Sequence, residues 1–398
     1  MVSCVSSPSD GPIGDSALAL DDGTAVVLNQ NDARPVDLDS IARFGAFDVH
    51  FLQYSGANWW PWAYRLPAEE KRSAARAKRI NGFERALRYI KVIGARHVVP
   101  FAGPACFLDD SLFELNDIES SDDANTFPDQ MRFLEFLRVQ GIDSGHLLVP
   151  GATLDVVNGK SGISLPSTWK DAVQPFERKE EYLRSYAERV RDAIEAEKRN
   201  RMVTQLDILR ELKEWFEPIL RVADNICAGV GGAILLRIGT ERDIILDFER
   251  REVRDYSAET CVYEFTIAQE LMEQLIALHE VDWVNSLFLS MRFEVVTEGP
   301  YNEQLFAFFK SLSHERIEFT ESWYRRGEDE VSVFELNGWT IQRYCPHMQA
   351  DLKIFGKVWD TKLTCSMHGW EFDLTTSKCL TNESPEYSLQ CKRSRPQP

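Results

Sequence analysis

No apolar run in the 398-residue chain approaches the roughly 20 residues that a bilayer-spanning helix needs, so a helical membrane span is excluded. The start, MVSCVSSPSDGPIGDS, has neither a basic cluster nor an apolar core and does not read as a secretory signal; the expected location is cytoplasmic. Positive charge is also scarce. With 45 Lys and Arg against 63 Asp and Glu, the net charge of −18 argues against a nucleic-acid partner, whose phosphates would be repelled. The eight cysteines (Cys4, Cys106, Cys227, Cys261, Cys345, Cys365, Cys379 and Cys391) are too thinly spread for a disulfide framework. In a reducing cytosol, a close set of Cys and His is more readily a metal site.

What remains is a globular composition, 44% hydrophobic and 27% charged, long enough for two or three domains with cores of their own. Residues 1–14 are expected to be a flexible N-terminus, with a loose Ser/Pro/Gly-rich stretch over 1–12. Over 15–177 the pattern gives strands at 25–28, 47–52, 97–101 and 146–149. Between them come a long helix from just after Pro67 to about Val92, stopped by Gly94, and a second around Asp129–Val139. Such alternation means α/β layering. Residues 178–325 read as an α+β domain, with two helical stretches over 178–225, short strands between 233 and 266, and helices at about 268–279 and 302–325. A polar linker is expected at 325–330. From 331 to 398 the texture is all β, with Asn337-Gly338 as a hairpin turn. The expected fold class is multidomain α+β.

The chemistry is concentrated near the C-terminal end. Cys345-Pro346-His347 and Cys365-Ser366-Met367-His368 each offer one thiolate and one imidazole on a short loop. A tetrahedral zinc ion could use the same four donors, so spacing alone does not name the metal. Pro346 lies inside the first loop, and Gly369 follows the second His, where a tight backbone approach leaves no room for a Cβ. On these residues, roughly 331–390 resembles the Rieske [2Fe–2S] family. The resemblance implies a cluster with Cys345 and Cys365 on one iron and His347 and His368 on the other. Cys379 and Cys391 fall outside the motif and read as core or surface thiols. High-potential members of the family carry an extra Cys in each loop, joined as a disulfide. Ala350 and Met367 hold those positions here, which implies the low-potential class, about −150 mV. The outer nitrogens of His347 and His368 are expected to reach solvent and give an electron its exit, and could couple reduction to protonation. The acidic surface suits a basic redox partner.

Ring-hydroxylating Rieske oxygenases place the cluster first and follow it with an Asp/Glu-x-x-His-x-x-x-x-His iron site. His50, His97, His146, His279 and His314 form no such pattern, and that reading is set aside. The strand from Asp15, the turn at Gly23, the acidic tip at Asp32, and the stretches 53–61 and 98–110 resemble something else. They are similar to the second half of a metallo-β-lactamase-like domain, in the branch that includes CMP-N-acetylneuraminate hydroxylase. The resemblance implies that Asp32 bridges a second metal site, of iron or zinc, beside Asn29 and Asn31; the alternative is an Asp that caps a helix starting near Asp37. The family's His-x-His-x-Asp-His cluster is absent, and PheAlaGlyPro at 101–104 stands where a last ligand His belongs. The expectation is a truncated gene product, with a split enzyme or a lost metal site as the other readings.

The function implied is the electron-transfer or oxygenase component of a hydroxylase-type oxidoreductase, reduced by a reductase or ferredoxin and acting on a small molecule. The alternatives are a non-catalytic Rieske ferredoxin-like carrier with docking domains, or a metal-dependent hydrolase-fold protein with a redox accessory. No catalytic residue is assigned. Residues 203–325 resemble a sterol-carrier-like fold, which implies a greasy cavity. Trp59-Trp60-Pro61-Trp62 either lines a pocket or forms a buried aromatic cluster. His50 and His97 read as core histidines, and His146 as one that could reach a cleft.

Overall fold

The computed structural model describes residues 2–5, 12–36, 38–56, 58–118, 123–156, 162–200, 206–240, 242–299, 301–325, 332–382 and 385–394. The chain divides into two units, one of residues 1–57, 72–187 and 330–398, the other of 58–71 and 188–329. Beyond Arg325, the expected linker lies outside the described residues. Among the described residues no helix is long and apolar enough to cross a membrane.

The first unit begins with a five-stranded sheet in sequential order: β1 Val2–Val5, β2 Ala17–Asp21, β3 Val26–Asn31, β4 Val49–Gln53 and β5 His97–Phe101. The first two pairings are antiparallel and the next two parallel. Val2–Val5, expected to be loose, pairs with Ala17–Asp21. A local Ser/Pro/Gly reading cannot register pairing with a strand further along the chain. Short helix α1, Leu38–Ala42, follows β3, and α2, Ala68–Ile93, follows β4. Acidic Glu69 and Glu70 in the first turn of α2 and Lys91 in the last suit the helix dipole. The helix stops at Gly94, at φ +62, whose N–H reaches the Ile90 carbonyl at 2.9 Å. Inside the helix, Gly82 permits close approach to the sheet, since a Cβ there would sit 3.0 Å from the Tyr54 carbonyl oxygen.

One sheet face, with Ala19, Leu28, Leu52 and Val98, packs against Phe83, Ala86, Leu87 and Ile90 of α2 and Phe133 and Leu137 of α3, Gln130–Val139. The opposite face carries Leu20 and Phe101, both exposed. The expected strand at 146–149 does not form. Only Gly145 bridges Val98, and the His146 N–H bonds the Val98 carbonyl at 2.8 Å. The apolar character there reflects burial of Val149 rather than pairing. A hairpin, β6 Thr153–Asp155 and β7 Gly162–Ser164, precedes helices α4, Gln174–Glu177, and α5, Lys179–Asn200.

The second unit holds α6 Ile208–Leu220, α7 Asp224–Val230, β8 Ala233–Ile238, β9 Arg242–Asp247, β10 Glu252–Asp255 and β11 Tyr263–Ile267. It continues with α8 Gln269–Ala277, α9 Trp283–Ser286, β12 Phe293–Val296, α10 Glu303–Phe309 and α11 His314–Tyr324. Its sheet runs β10-β9-β8-β11-β12, with only β8 and β11 parallel. β10 escapes the sequence pattern because Val253 is its single apolar residue. The buried Glu321 carboxylate of α11 accepts the Asn225 and Ile226 N–H groups, closing the N-terminal turn of α7.

Residues 58–66 belong to this unit as a strap along β12. The Ala63 carbonyl accepts the Val295 N–H and the Arg65 N–H donates to the Val295 carbonyl, each at 2.8 Å. The strap carries Trp59, 4% exposed, inward to ring distances of 5.2 Å from Phe288 and 4.9 Å from Phe306. Trp59 is therefore part of a buried aromatic cluster. The rings of Trp59, Phe265, Phe288, Phe306 and Phe309 pack together inside this unit.

The C-terminal part of the first unit forms two three-stranded sheets. β13 Val333–Leu336, β14 Trp339–Gln342 and β18 Cys391–Arg393 make one; β15 Gly356–Trp359, β16 Lys362–Cys365 and β17 Trp370–Asp373 make the other. Asn337 and Gly338, at φ +49 and +78, form the primed hairpin turn that their sequence demands. One short helix, α12 Leu352–Phe355, interrupts the β texture. Its core is continuous with that of the N-terminal sheet, through Tyr89, Phe355, Leu363 and Met367.

Candidate iron–sulfur site

Two loops carry the four sequence-predicted donors. Cys345 and His347 lie between β14 and α12; Cys365 ends β16, and His368 sits in the turn before β17. The first loop is clamped at its base. The Arg343 guanidinium donates twice to Asp351 Oδ2, at 2.9 and 2.7 Å, and the Cys345 N–H bonds the Ala350 carbonyl at 2.9 Å. The second is tied to α12, where both the Ser366 N–H and its hydroxyl reach the Phe355 carbonyl.

The loops close alike. The Gln349 N–H returns to the Cys345 carbonyl at 2.9 Å, and the Gly369 N–H to the Cys365 carbonyl at 2.7 Å. Each closing residue is left-handed, Gln349 at φ +56 and Gly369 at φ +80. The tight approach read at Gly369 is borne out: a Cβ there would meet Asn81 Nδ2 at 2.6 Å.

Both thiols are fully buried, at 0% exposure. Burial pushes the Cys345 thiol well up, while its hydrogen bond to Cys345 holds Cys365 down, with help from His368. The two imidazoles stand edge to face, 5.0 Å between centroids. This donor set fits a [2Fe–2S] group. In such a group two thiolates would hold one iron and two imidazoles the other, and here the two thiols are hydrogen-bonded while the two imidazoles adjoin. A structural zinc ion would instead draw all four donors onto one atom. Ala350 and Met367 are buried beside the loops and bring no thiol. Cys379 is buried and Cys391 half-buried; both are free.

One expectation needs correction. His347 is not at the surface: it is 7% exposed, with the Trp370 ring stacked on it at 3.7 Å and Tyr387 behind Trp370 at 4.9 Å. A motif gives the order of donors but not which one the C-terminal strands cover. His368 is the more open imidazole. Asp32 lies exposed in the turn after β3, at the strand tip where it was expected. His50 is a core histidine, bonded through Nε2 to Gln30 at 2.8 Å. His97 and His146 meet at 2.9 Å between Nδ1 and Nε2.

Sequence reasoning missed the part that α2 plays. Asn81, Arg85 and Tyr89 recur every four residues, so they share one helix face. That face meets the second loop: Asn81 beside Gly369, Arg85 Nη1 on the Met367 carbonyl at 2.9 Å, and the Tyr89 hydroxyl 3.7 Å from Met367 Sδ. The neighbouring stripe holds α12 and β15. Arg88 donates to the Ile354 carbonyl, and Glu84 accepts from Lys357 Nζ at 2.7 Å. Cations gather here too. Burial, and after it Arg34 and Arg85, hold the Lys78 ammonium well below its ordinary range. The signal was present as polar residues at four-residue spacing on a face that ought to be apolar.

Comparison with known proteins agrees with this geometry. Residues 322–391 match the Rieske [2Fe-2S] domain family, which implies a [2Fe–2S] cluster, and residues 208–326 match the family described as Rv3818-like, SCP2-like domain. Two solved structures show a local likeness. Sterol carrier protein 2 like 2 from Aedes aegypti is 17% identical, covering 20% of this chain and 83% of that one, with a TM-score of 0.15. Sterol carrier protein 2 from Yarrowia lipolytica is 10% identical, covering 29% and 96%, with a TM-score of 0.21. Similarity to mycobacterial proteins is far more extensive. The Rieske 2Fe-2S iron-sulfur protein Rv3818 of Mycobacterium tuberculosis is 44% identical over 402 aligned residues, covering 100% of this chain and 77% of the relative. A Rieske 2Fe-2S iron-sulfur protein of Mycolicibacterium smegmatis is 43% identical, covering 99% and 76%. With two buried thiols, two imidazoles and similarity to these relatives along the whole of its own sequence, the chain belongs to the Rieske 2Fe–2S iron–sulfur protein family.

Proposed function

We propose that this chain is a one-electron carrier, the Rieske component of a multi-component oxidoreductase, with Cys345 and Cys365 on one iron and His347 and His368 on the other. The observation that carries the reading is the pairing of donors, two fully buried thiols together and two imidazoles together, on loops that close alike. When bound, the cluster supplies a centre that stores a single electron. The chain's residues do the rest. Trp370 and Tyr387 shield His347 from water, leaving His368 as the imidazole that faces a reductase or ferredoxin. Ala350 and Met367 leave the loops without a disulfide, which supports the low-potential class.

The finer reading, an oxygen-activating hydroxylase, has weaker support: the strand and helix order of 15–177 and the position of Asp32 at the tip of β3. Metal and sulfide analysis separates the readings. A carrier gives two iron and two acid-labile sulfide per chain, both lost in Cys345→Ser. Iron above two that returns to two in Asp32→Ala supports the hydroxylase. Zinc without sulfide refutes both.

A further inference from the structure

We infer that Arg85, on a helix outside the C-terminal sheets, is a positioning residue for the cluster: it fixes the Met367 carbonyl and sets a permanent positive charge beside the second Cys/His loop, making the cluster easier to reduce. The inference rests on the cluster reading above. Met367 lies between Cys365 and His368, so a shift of its carbonyl moves a donor to each iron. Arg85 holds that carbonyl at 2.9 Å while itself only 9% exposed. Asn81 and Tyr89, a turn away on either side, touch Gly369 and Met367 Sδ, so the helix grips the loop at three successive turns.

The charge argument is separate from the grip. One electron arriving from a donor adds one negative charge at the site. The guanidinium keeps its proton in both redox states, so it favours the reduced state by Coulomb attraction alone. Burial strengthens that attraction. The other charges that bear on neighbouring Lys78 are Arg34 and Arg85, both positive, in a chain whose net charge is −18.

The test uses the full, iron-loaded chain. Arg85→Gln keeps an N–H for the Met367 carbonyl and removes the charge; Arg85→Lys keeps the charge; Arg85→Met keeps only the stem. A redox titration followed by visible spectrum is expected to show Arg85→Gln with two irons retained but reduced about tenfold less readily. For a one-electron couple that is a fall of about 59 mV. Arg85→Lys is expected to stay close to wild type. Arg85→Met should fall at least as far and lose iron faster to a chelator. The iron counts of Arg85→Gln and Arg85→Lys guard against a misfolded Arg85→Met. If Arg85→Gln titrates with wild type, or Arg85→Lys falls as far as Arg85→Gln, the inference is overturned. Wild-type chain without a Rieske spectrum would instead sink the cluster reading.

Discussion

Replacing Trp59 by alanine tests whether the strap at 58–66 is an integral part of the second unit. The indole is almost fully enclosed and lies against Phe288 and Phe306. Truncating a buried aromatic of this kind costs about 3–5 kcal/mol, from lost apolar transfer and an incompletely collapsed cavity. The strap's backbone bonds to Val295 survive the change, so the loss is one of packing. At roughly 2–4 °C per kcal/mol for a unit of 150–250 residues, the melt should fall by roughly 6–20 °C. The exposed Arg65–Glu294 pair provides the control, since both side chains are more than half exposed. Arg65→Ala should leave the melt close to wild type, because a solvent-exposed ion pair contributes little. The assay is a thermal melt followed by far-UV circular dichroism, with the visible cluster spectrum recorded alongside. The cluster lies in the other unit, so its spectrum should hold at temperatures where the Trp59→Ala chain loses helix. A melt within a degree or two of wild type would refute the placement of Trp59 in that core.

Gly369→Ala should destabilise the first unit by roughly 1–2 kcal/mol, the cost of a left-handed alanine, plus the cost of turning Asn81 aside. Adding Asn81→Ala should recover the steric part and leave the backbone part, as read from the two melts. The His50 imidazole supplies an acid sensitivity. Burial lowers its pKa from 6.5 to about 3, so the unfolded chain takes up a proton that the folded chain refuses. The stability held by neutral His50 is therefore full above about pH 6.5 and drains as pH falls towards 3, by about 1.4 kcal/mol per pH unit. Urea midpoints at pH 7.5 and 5 should show a loss of about 2 kcal/mol from this group, removed in His50→Gln. An equal loss in the variant would refute the assignment.

What the sequence revealed was local. The Cys/His spacing, the Asn337-Gly338 turn and the span of α2 between Pro67 and Gly94 each depend on residues within a few turns of one another, where backbone preference decides. The strand expected at 146–149 failed because an apolar run records burial, not pairing. The strap resisted prediction for a related reason. Trp59 could equally line a pocket or join a core, and only Phe288 and Phe306, far along the chain, decide between them. The exposure of His347 was misread because Trp370 and Tyr387 cover it from outside its own loop. The same holds most strongly for Arg85, an ordinary helical cation until Met367 is placed against it.

That last pairing has a consequence for the order of biosynthesis. Arg85 and Met367 are separated by 282 positions. At 5–20 residues per second, the ribosome releases the carbonyl that Arg85 binds roughly 14–56 s after Arg85 itself. Throughout that interval the side of α2 bearing Asn81, Arg85 and Tyr89 has no Met367–Gly369 loop to hold, while residues 188–329 of the second unit are being made. The second loop therefore meets its support only after the second unit has been made, and iron–sulfur loading must either wait for that docking or help to drive it.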